Sequence, residues 1–243
     1  MKTIFFIISI FLSIGFFSKN QKNIIDKFNE ITKTYGMEPH SIKGIDVSHH
    51  QNNVEWEKVK KSGISFAFIK ATEGAWFKDS KFNTNINQAK KNGIYVGAYH
   101  YYKPKINPYL QFENYKNSVS KEIINFPPII DLEYLHNGEL KKSEYREKFI
   151  KDIKILNKLI INHYGVKPIF YTTCDFYKNL IKNEFDNEIW ICYLKNEKIS
   201  FLEESQWNFR QYSFTGRING INKNVDLNFF KGNEKDFLKK IIN

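Results

Sequence analysis

From Gly44 onward the sequence alternates between short apolar runs and amphipathic stretches closed by glycine, and this rhythm limits the chain to few folds. GIDVSHH reads as a strand, and VEWEKVKKSG as a helix stopped at Gly63. ISFAFIKATEG is a second strand, followed by a helix around FNTNINQAKKNG. IYVGAYHYY is a third strand, PYLQFENYKNSVSKEII a helix, and PPIIDLEY a fourth strand. The clearest helix is SEYREKFIKDIKILNKLIINHYG, where Tyr145, Phe149, Ile153, Leu156 and Ile160 share one stripe and Gly165 ends it. KPIFYTTC and EIWICYL follow as strands, and WNFRQYSF and INKNVDLNFF are strands with no helix between them.

Strands alternating with helices imply parallel βαβ units, and strands apolar on both faces imply cover by helices. About eight strands, with helices missing in the last third, predict an irregular single-domain TIM-like (β/α) barrel. A doubly wound open sheet is the alternative, but its G-x-G-x-x-G turn after the first strand is absent.

The first segment stands outside this pattern. MKTIFFIISIFLSIGFF carries one lysine, Lys2, and then an uncharged apolar run. As a helix, Ile4 to Phe17 spans about 21 Å, short of a bilayer core of about 30 Å. The expectation is a secretory signal peptide over residues 1–18, a leader or linker with a short helix over 19–42, and a catalytic barrel over 43–243. The mature chain is then secreted or periplasmic, a monomer, with no stable membrane insertion after signal removal. Two cysteines, Cys174 and Cys192, make no disulfide framework. They either pair or stay as buried thiols. A formal net charge of +11 favours anionic partners such as wall polymers, or else reflects lysine-solvated helix faces. An exported chain without zinc-finger or RRM-type patterns argues against nucleic acid.

Barrel active sites lie at the C-terminal ends of the strands. Those ends carry Asp46, then Ser48, His49 and His50; Lys70, Thr72 and Glu73; Tyr99, His100 and Tyr101; Asp131 and Glu133; Tyr171 and Thr172; Trp190 and Tyr193; and, from the tail, Gln211 and Asp226. Asp46, Asp131 and Asp226 each interrupt an apolar run. Burying a carboxylate without partners costs several kcal/mol or forces it neutral. Several such acids at one barrel end read as a site. Asp131 and Glu133 are the sharpest pair: two apart on a strand they share a face, with Cα atoms about 6.6 Å apart. Side-chain reach then brings the carboxyls to about 5–5.5 Å, the separation of retaining glycosidases. Tyr99, Tyr101, Tyr171, Trp190 and Tyr193 offer the apolar faces on which sugars stack. His49 and His50 point to opposite strand faces, and His100 is the one histidine placed to meet either; no H-E-x-x-H motif or G-x-S-x-G elbow appears, so a metal site is not expected.

GIDVSHHQNNVEW, FAFIKATEG, GIYVGAYHYY, PPIIDLEY, IFYTTCDFY, IWICYL and QYSFTGRINGINKNVDLNFF stand in an order that resembles glycoside hydrolase family 25, the Chalaropsis-type muramidases. The resemblance runs from about Gly44 to Phe230. It implies an irregular (β/α) barrel that cleaves the β-1,4 bond between N-acetylmuramic acid and N-acetylglucosamine in bacterial peptidoglycan, without a cofactor. It implies Glu133 as general acid and then base. Asp131 assists, as nucleophile or by orienting the substrate's acetamido group. Asp46 and Asp226 match the family's other groove acids, and Lys70, Tyr99, Tyr101, Tyr171, Trp190, Tyr193 and Gln211 are the expected substrate-binding set. Three positions depart from the family pattern: Arg210 where tryptophan is frequent, Asn52-Asn53 in place of a glycine, and Cys192 in place of alanine. Arg210 is a candidate for altering a subsite toward anionic substituents. Competing readings are a chitinase-like hexosaminidase, whose longer acidic motif lacks acids at Phe126 and Ile129, a non-catalytic wall-binding barrel, and an interaction protein using its basic surface.

Overall fold

The structure, a computed structural model, describes residues 42–133, 143–195, 197–203 and 205–242. The expected signal peptide and the leader up to residue 41 lie outside the described residues.

Nine strands form one sheet: β1 (Ile42–Val47), β2 (Ile64–Glu73), β3 (Phe77–Lys78), β4 (Tyr95–Tyr101), β5 (Ile129–Leu132), β6 (Ile169–Thr173), β7 (Ile189–Cys192), β8 (Trp207–Gly216) and β9 (Val225–Phe230). Their order is β1-β9-β8-β7-β6-β5-β4-β2-β3, and pairing of β1 with β2 closes the first eight into a barrel. The expected (β/α) barrel is therefore the fold. Neighbours are parallel except β9, which runs antiparallel to both β8 and β1, and the short β3, which runs antiparallel to β2. Only residues 217–224 link β8 to β9, too few for a parallel crossover, which takes a dozen or more. That short link is why the last third departs from strict alternation.

The described helices outside the barrel include α1 (Trp56–Lys61), α2 (Phe82–Lys91), α3 (Pro108–Lys116), α4 (Ser143–Tyr164) and α5 (Glu234–Leu238). Gly63, Gly93 and Gly165 follow α1, α2 and α4 with positive φ, the conformation a helix-ending residue needs. Phe149, Ile153, Leu156 and Ile160 of the α4 stripe are buried as the periodicity requires. The helix expected to run to Ile124 is shorter. It starts at Pro108, capped by the Asn107 side chain on the Tyr109 N–H, and stops at Lys116; a 3-10 turn Lys121–Ile123 follows. The serines at 118 and 120 favour such breaks over helix interior. β3 and α5 are too short to leave a periodic signal, and neither is anticipated by the sequence.

Alternation along each strand sends one set of side chains inside. The lower interior is filled by Phe66, Phe68, Phe126, Phe209, Phe230 and Phe237, with contacting ring centroids 5.1–6.1 Å apart. Gly44 is required by this plug, because a Cβ there would lie 2.3 Å from the Phe66 ring. Trp190 lies on the plug, 4.5 Å from Phe68, and forms the floor of the upper half. Cys174 and Cys192 are free thiols, with the Cys174 Sγ donating to the Cys192 carbonyl at 3.4 Å. Among the described residues no helix is long and apolar enough to cross a membrane.

Candidate active site

Above the Trp190 floor the inward positions turn from phenylalanine to acid, amide and tyrosine. β1 contributes Asp46 and β9 contributes Asp226, directly opposite each other in the antiparallel register. β8 contributes Gln211, whose Nε2 donates to Asp46 Oδ2 at 2.9 Å and to Asp226 Oδ2 at 3.4 Å. Asn228 donates from Nδ2 to the same Asp46 oxygen at 2.7 Å, while its Oδ1 accepts from Trp190 Nε1 at 2.8 Å. The Tyr171 hydroxyl donates to Gln211 Oε1 at 2.7 Å. A continuous network thus runs from the floor through two amides to two acids.

Burial, and then the negative charge of Asp226, push the Asp46 carboxyl up to about 8, against the opposing pull of its bonds from Asn228 and Gln211. Burial raises Asp226 to about 6. Two carboxylates facing each other over an apolar plug cannot both ionise cheaply, so the pair holds a proton into the neutral range.

Asp131 and Glu133 occupy the end of β5. Asp131 pairs in register with Tyr101 of β4 and Tyr171 of β6. Asp131 is buried, and among the described residues its inner Oδ1 has no hydrogen-bond partner. An unpaired buried carboxylate oxygen is costly to keep. Glu133, one alternation higher, is partly exposed. Burial and the neighbouring Glu133 raise Asp131 well above the carboxylate range. Burial and Asp46 raise Glu133, with the Tyr171 hydroxyl and Lys70 pulling the other way. The two acids therefore also retain a proton where free carboxyls would be ionised.

Lys70 of β2 is buried beside them. Its Nζ lies 2.6 Å from Glu73 Oε2 and 4.9 Å from the Tyr101 ring centre. Glu73 Oε1 takes Lys103 at 2.9 Å. Burial pushes the Glu73 carboxyl up, but the bonds from Lys70 and Lys103 outweigh it and hold Glu73 ionised. Tyr99 packs edge-on to Trp190 at 6.5 Å, and Tyr171 lies 4.4 Å from Trp190.

The strand ends thus bring together Asp46, Asp226, Gln211, Asp131, Glu133, Lys70, Tyr99, Tyr101, Tyr171 and Trp190. Tyr193 is set apart. It lies three residues from Trp190, beyond β7, with its ring 5.0 Å from the Arg210 guanidinium and 5.8 Å from Phe201. Arg210 itself is buried on the outer side of β8 and donates to the carbonyls of Tyr193 and Lys195. It braces the segment after β7 and does not line the mouth, which overturns its expected part in a subsite. His100 is likewise elsewhere. It faces α3, between Thr72 Oγ1 (2.7 Å) and Gln111 Oε1 (3.2 Å), and burial lowers its pKa to about 4. It does not meet His49, which is held by Asp79 at 2.7 Å. Among the described residues no cluster of three or more His, Cys, Asp or Glu could hold a metal ion. Asn228 is the contributor that sequence reasoning passed over. Its signal is its place two residues after Asp226, on the same face of β9.

Comparison with known proteins identifies the family and the fold. Residues 45–221 match the family model described as Glycosyl hydrolases family 25. The chain is 33% identical over 202 residues to YegX of Escherichia coli O157:H7, spanning 81% of this chain and 72% of that protein. It is 31% identical over 206 residues to Lysozyme M1 of Streptomyces globisporus, spanning 79% and 68%. Among solved structures, a family 25 glycosyl hydrolase from Bacillus anthracis superposes with a TM-score of 0.76 at 36% identity, over 84% of this chain and 94% of that one.

Proposed function

The chain belongs to glycosyl hydrolase family 25 and is a glycoside hydrolase of the peptidoglycan-hydrolysing lysozyme class, and on that premise we propose that it is an exported N-acetylmuramidase cutting the β-1,4 bond between N-acetylmuramic acid and N-acetylglucosamine. The observation that carries this reading is the pair at the end of β5: a buried Asp131 with an unpaired oxygen, and above it a half-open Glu133, sharing a proton over an aromatic floor.

Glu133 is the member that can reach a leaving group, since it is the more exposed. Its proton goes to the glycosidic oxygen as the bond to the anomeric carbon breaks, and the bonding pair stays on that oxygen. The free Oδ1 of Asp131 suits an N–H donor, and the acetamido group of the muramic acid supplies one. Held so, the acetamido carbonyl oxygen bonds to the anomeric carbon from the opposite face, the substrate-assisted variant of retaining hydrolysis. Water, giving its proton to the Glu133 carboxylate, then opens that intermediate. Lys70 beside Asp131 limits how far its pKa climbs, so that it can accept the acetamido N–H.

Export rests on the apolar run from Ile4 to Phe17, and attraction to anionic wall polymers on the charge of +11. The test is mass spectrometry of fragments released from purified peptidoglycan, with Glu133→Gln in parallel. N-acetylmuramic acid at the new reducing ends, lost with the variant, is the expected result. N-acetylglucosamine at those ends, or an unimpaired variant, would reject the assignment.

A further inference from the structure

The β2–β3 hairpin carries two exposed aromatics near the barrel mouth. Trp76 is 77% exposed and Phe77 is 42% exposed. The other three tryptophans, Trp56, Trp190 and Trp207, are buried. An indole left in water on a loop tip is unexplained by folding.

The hairpin is also held rigidly. Glu73 pairs with Phe77 across the turn, and Gly74, at φ +53, makes the turn. The Gly74 N–H donates to the Tyr101 carbonyl at 3.1 Å. Asn114 of α3, buried, donates from Nδ2 to the carbonyls of Gly74 and Phe77 at 2.9 and 3.0 Å. Asp79, just past β3, donates its N–H to the Ala71 carbonyl at 2.9 Å. The tip is a fixed platform, so ordering it on ligand binding costs little.

The platform is continuous with the candidate site. The Phe77 ring lies 5.4 Å from Lys70 Nζ, and that ammonium lies 4.9 Å from the Tyr101 ring, whose residue pairs with Asp131. Whatever enters over Asp131 and continues past Lys70 meets Phe77, the residue next to Trp76 on the hairpin. A polymer of pyranose rings is such a ligand, with C–H faces that match an indole and hydroxyls that keep it wet.

We propose that the Trp76–Phe77 hairpin tip is a distal sugar-binding platform, which stacks a pyranose of the same glycan strand removed from the bond that is cut and so favours long strands over short ones. This rests on the reading of the site as a glycan hydrolase, and its test separates the two. The occupant is the glycan and not a lipid surface, because the aromatic tip is joined to the carboxylate mouth through Lys70 rather than standing alone.

Two measurements decide it. The first compares kcat/KM on long peptidoglycan strands with that on a tetrasaccharide. Trp76→Ala lowers the long-to-short ratio roughly tenfold, about 1.4 kcal/mol, and Trp76→Tyr, which keeps a ring, restores most of it. The second uses Glu133→Gln, which holds glycan uncut, and follows acrylamide quenching of tryptophan fluorescence. Long strands shield the exposed indole, whereas the tetrasaccharide and vesicles of anionic phospholipid do not. A ratio unaltered by Trp76→Ala overturns the proposal, as does shielding by vesicles but not by glycan. If the wild-type protein cuts no glycan, the hydrolase reading fails and the quenching measurement alone decides the platform.

Discussion

Asp46 and Asp226 face each other across the antiparallel β1–β9 pair, bridged by a single amide, the Nε2 of Gln211, which reaches both. Like charges directly opposite in a strand pair are destabilising. Here the conflict is intensified by the phenylalanine plug beneath, and the pair resolves it by keeping a proton.

A pH-dependent stability follows from that arrangement. Both carboxyls titrate higher in the folded protein than in the unfolded chain, near 8 and 6 against 3.8. Groups with raised folded pKa contribute stability that is fully present below the unfolded value and is lost as pH rises through the folded one. The window is therefore pH 4 to 8, and stability falls across it. Asp46→Asn keeps an acceptor for Gln211 and Asn228 and offers Asp226 a permanent donor. Its Tm is expected to gain on wild type by several degrees between pH 5 and pH 8, at roughly 3 °C per kcal/mol for a chain of this size. Parallel melting curves at the two pH values check this; a Tm difference that stays constant would mean the proton is not held there.

Lys70 tunes the other acidic pair. Its ammonium pulls down both Asp131 and Glu133, against burial. Lys70→Met keeps the bulk and leaves Glu73 its partner Lys103. Removing the cation lets both carboxyls hold their protons to higher pH, so both limbs of the pH–rate profile move toward alkaline values. Activity at acidic pH drops more than activity at alkaline pH. Initial rates across pH 4 to 9 measure the shift, and an acidic displacement would contradict the role.

How much of this was legible in the sequence depended on periodicity and parity. The barrel could be read because β1, β2 and β4 to β9 each alternate or run apolar with a polar end. The acids stood out because Asp46, Asp131 and Asp226 break apolar runs. Parity along β7 also separates Trp190 from Tyr193, although both are aromatic and both stand near one strand end. What could not be read depends on partners distant in sequence. Arg210 is turned outward to carbonyls at 193 and 195, and His100 is turned outward to Thr72 and Gln111. Their residue types suggest chemistry, and only the packing shows them to be struts. β3 and α5 escaped because two and five residues carry no measurable period.

The plug predicts a strict size limit at Gly44. A methyl group there would sit 2.3 Å from the Phe66 ring, which is itself locked among five other phenylalanines. Overpacking of this kind costs about 1–3 kcal/mol or more. Gly44→Ala is expected to lower the denaturant midpoint without changing the slope, and Phe66→Leu added to it is expected to restore part of the loss. Additive losses in the double variant would show that the two sites do not collide.

The turn after β1 holds a non-glycine residue at positive φ. Asn52 caps the 3-10 turn His49–Gln51 with φ 59° and ψ −124°. Its N–H donates to the His49 carbonyl at 3.0 Å. That backbone conformation is open to glycine and strained for a residue with a Cβ, at about 1–3 kcal/mol. Asparagine is among the side chains that tolerate positive φ best, which explains how it holds the position that resembles a glycine site in the family pattern. Glycine there loses more entropy on folding, by roughly 0.5–1 kcal/mol. The relief of strain is the larger effect, so Asn52→Gly is expected to raise stability by about 1 kcal/mol. The side chain lies outside the acid network, so kcat on peptidoglycan is expected to hold. Equilibrium unfolding in urea gives the first number and turbidity clearing of a wall suspension the second. A destabilised variant would mean that the asparagine side chain makes a contact worth more than the strain it carries.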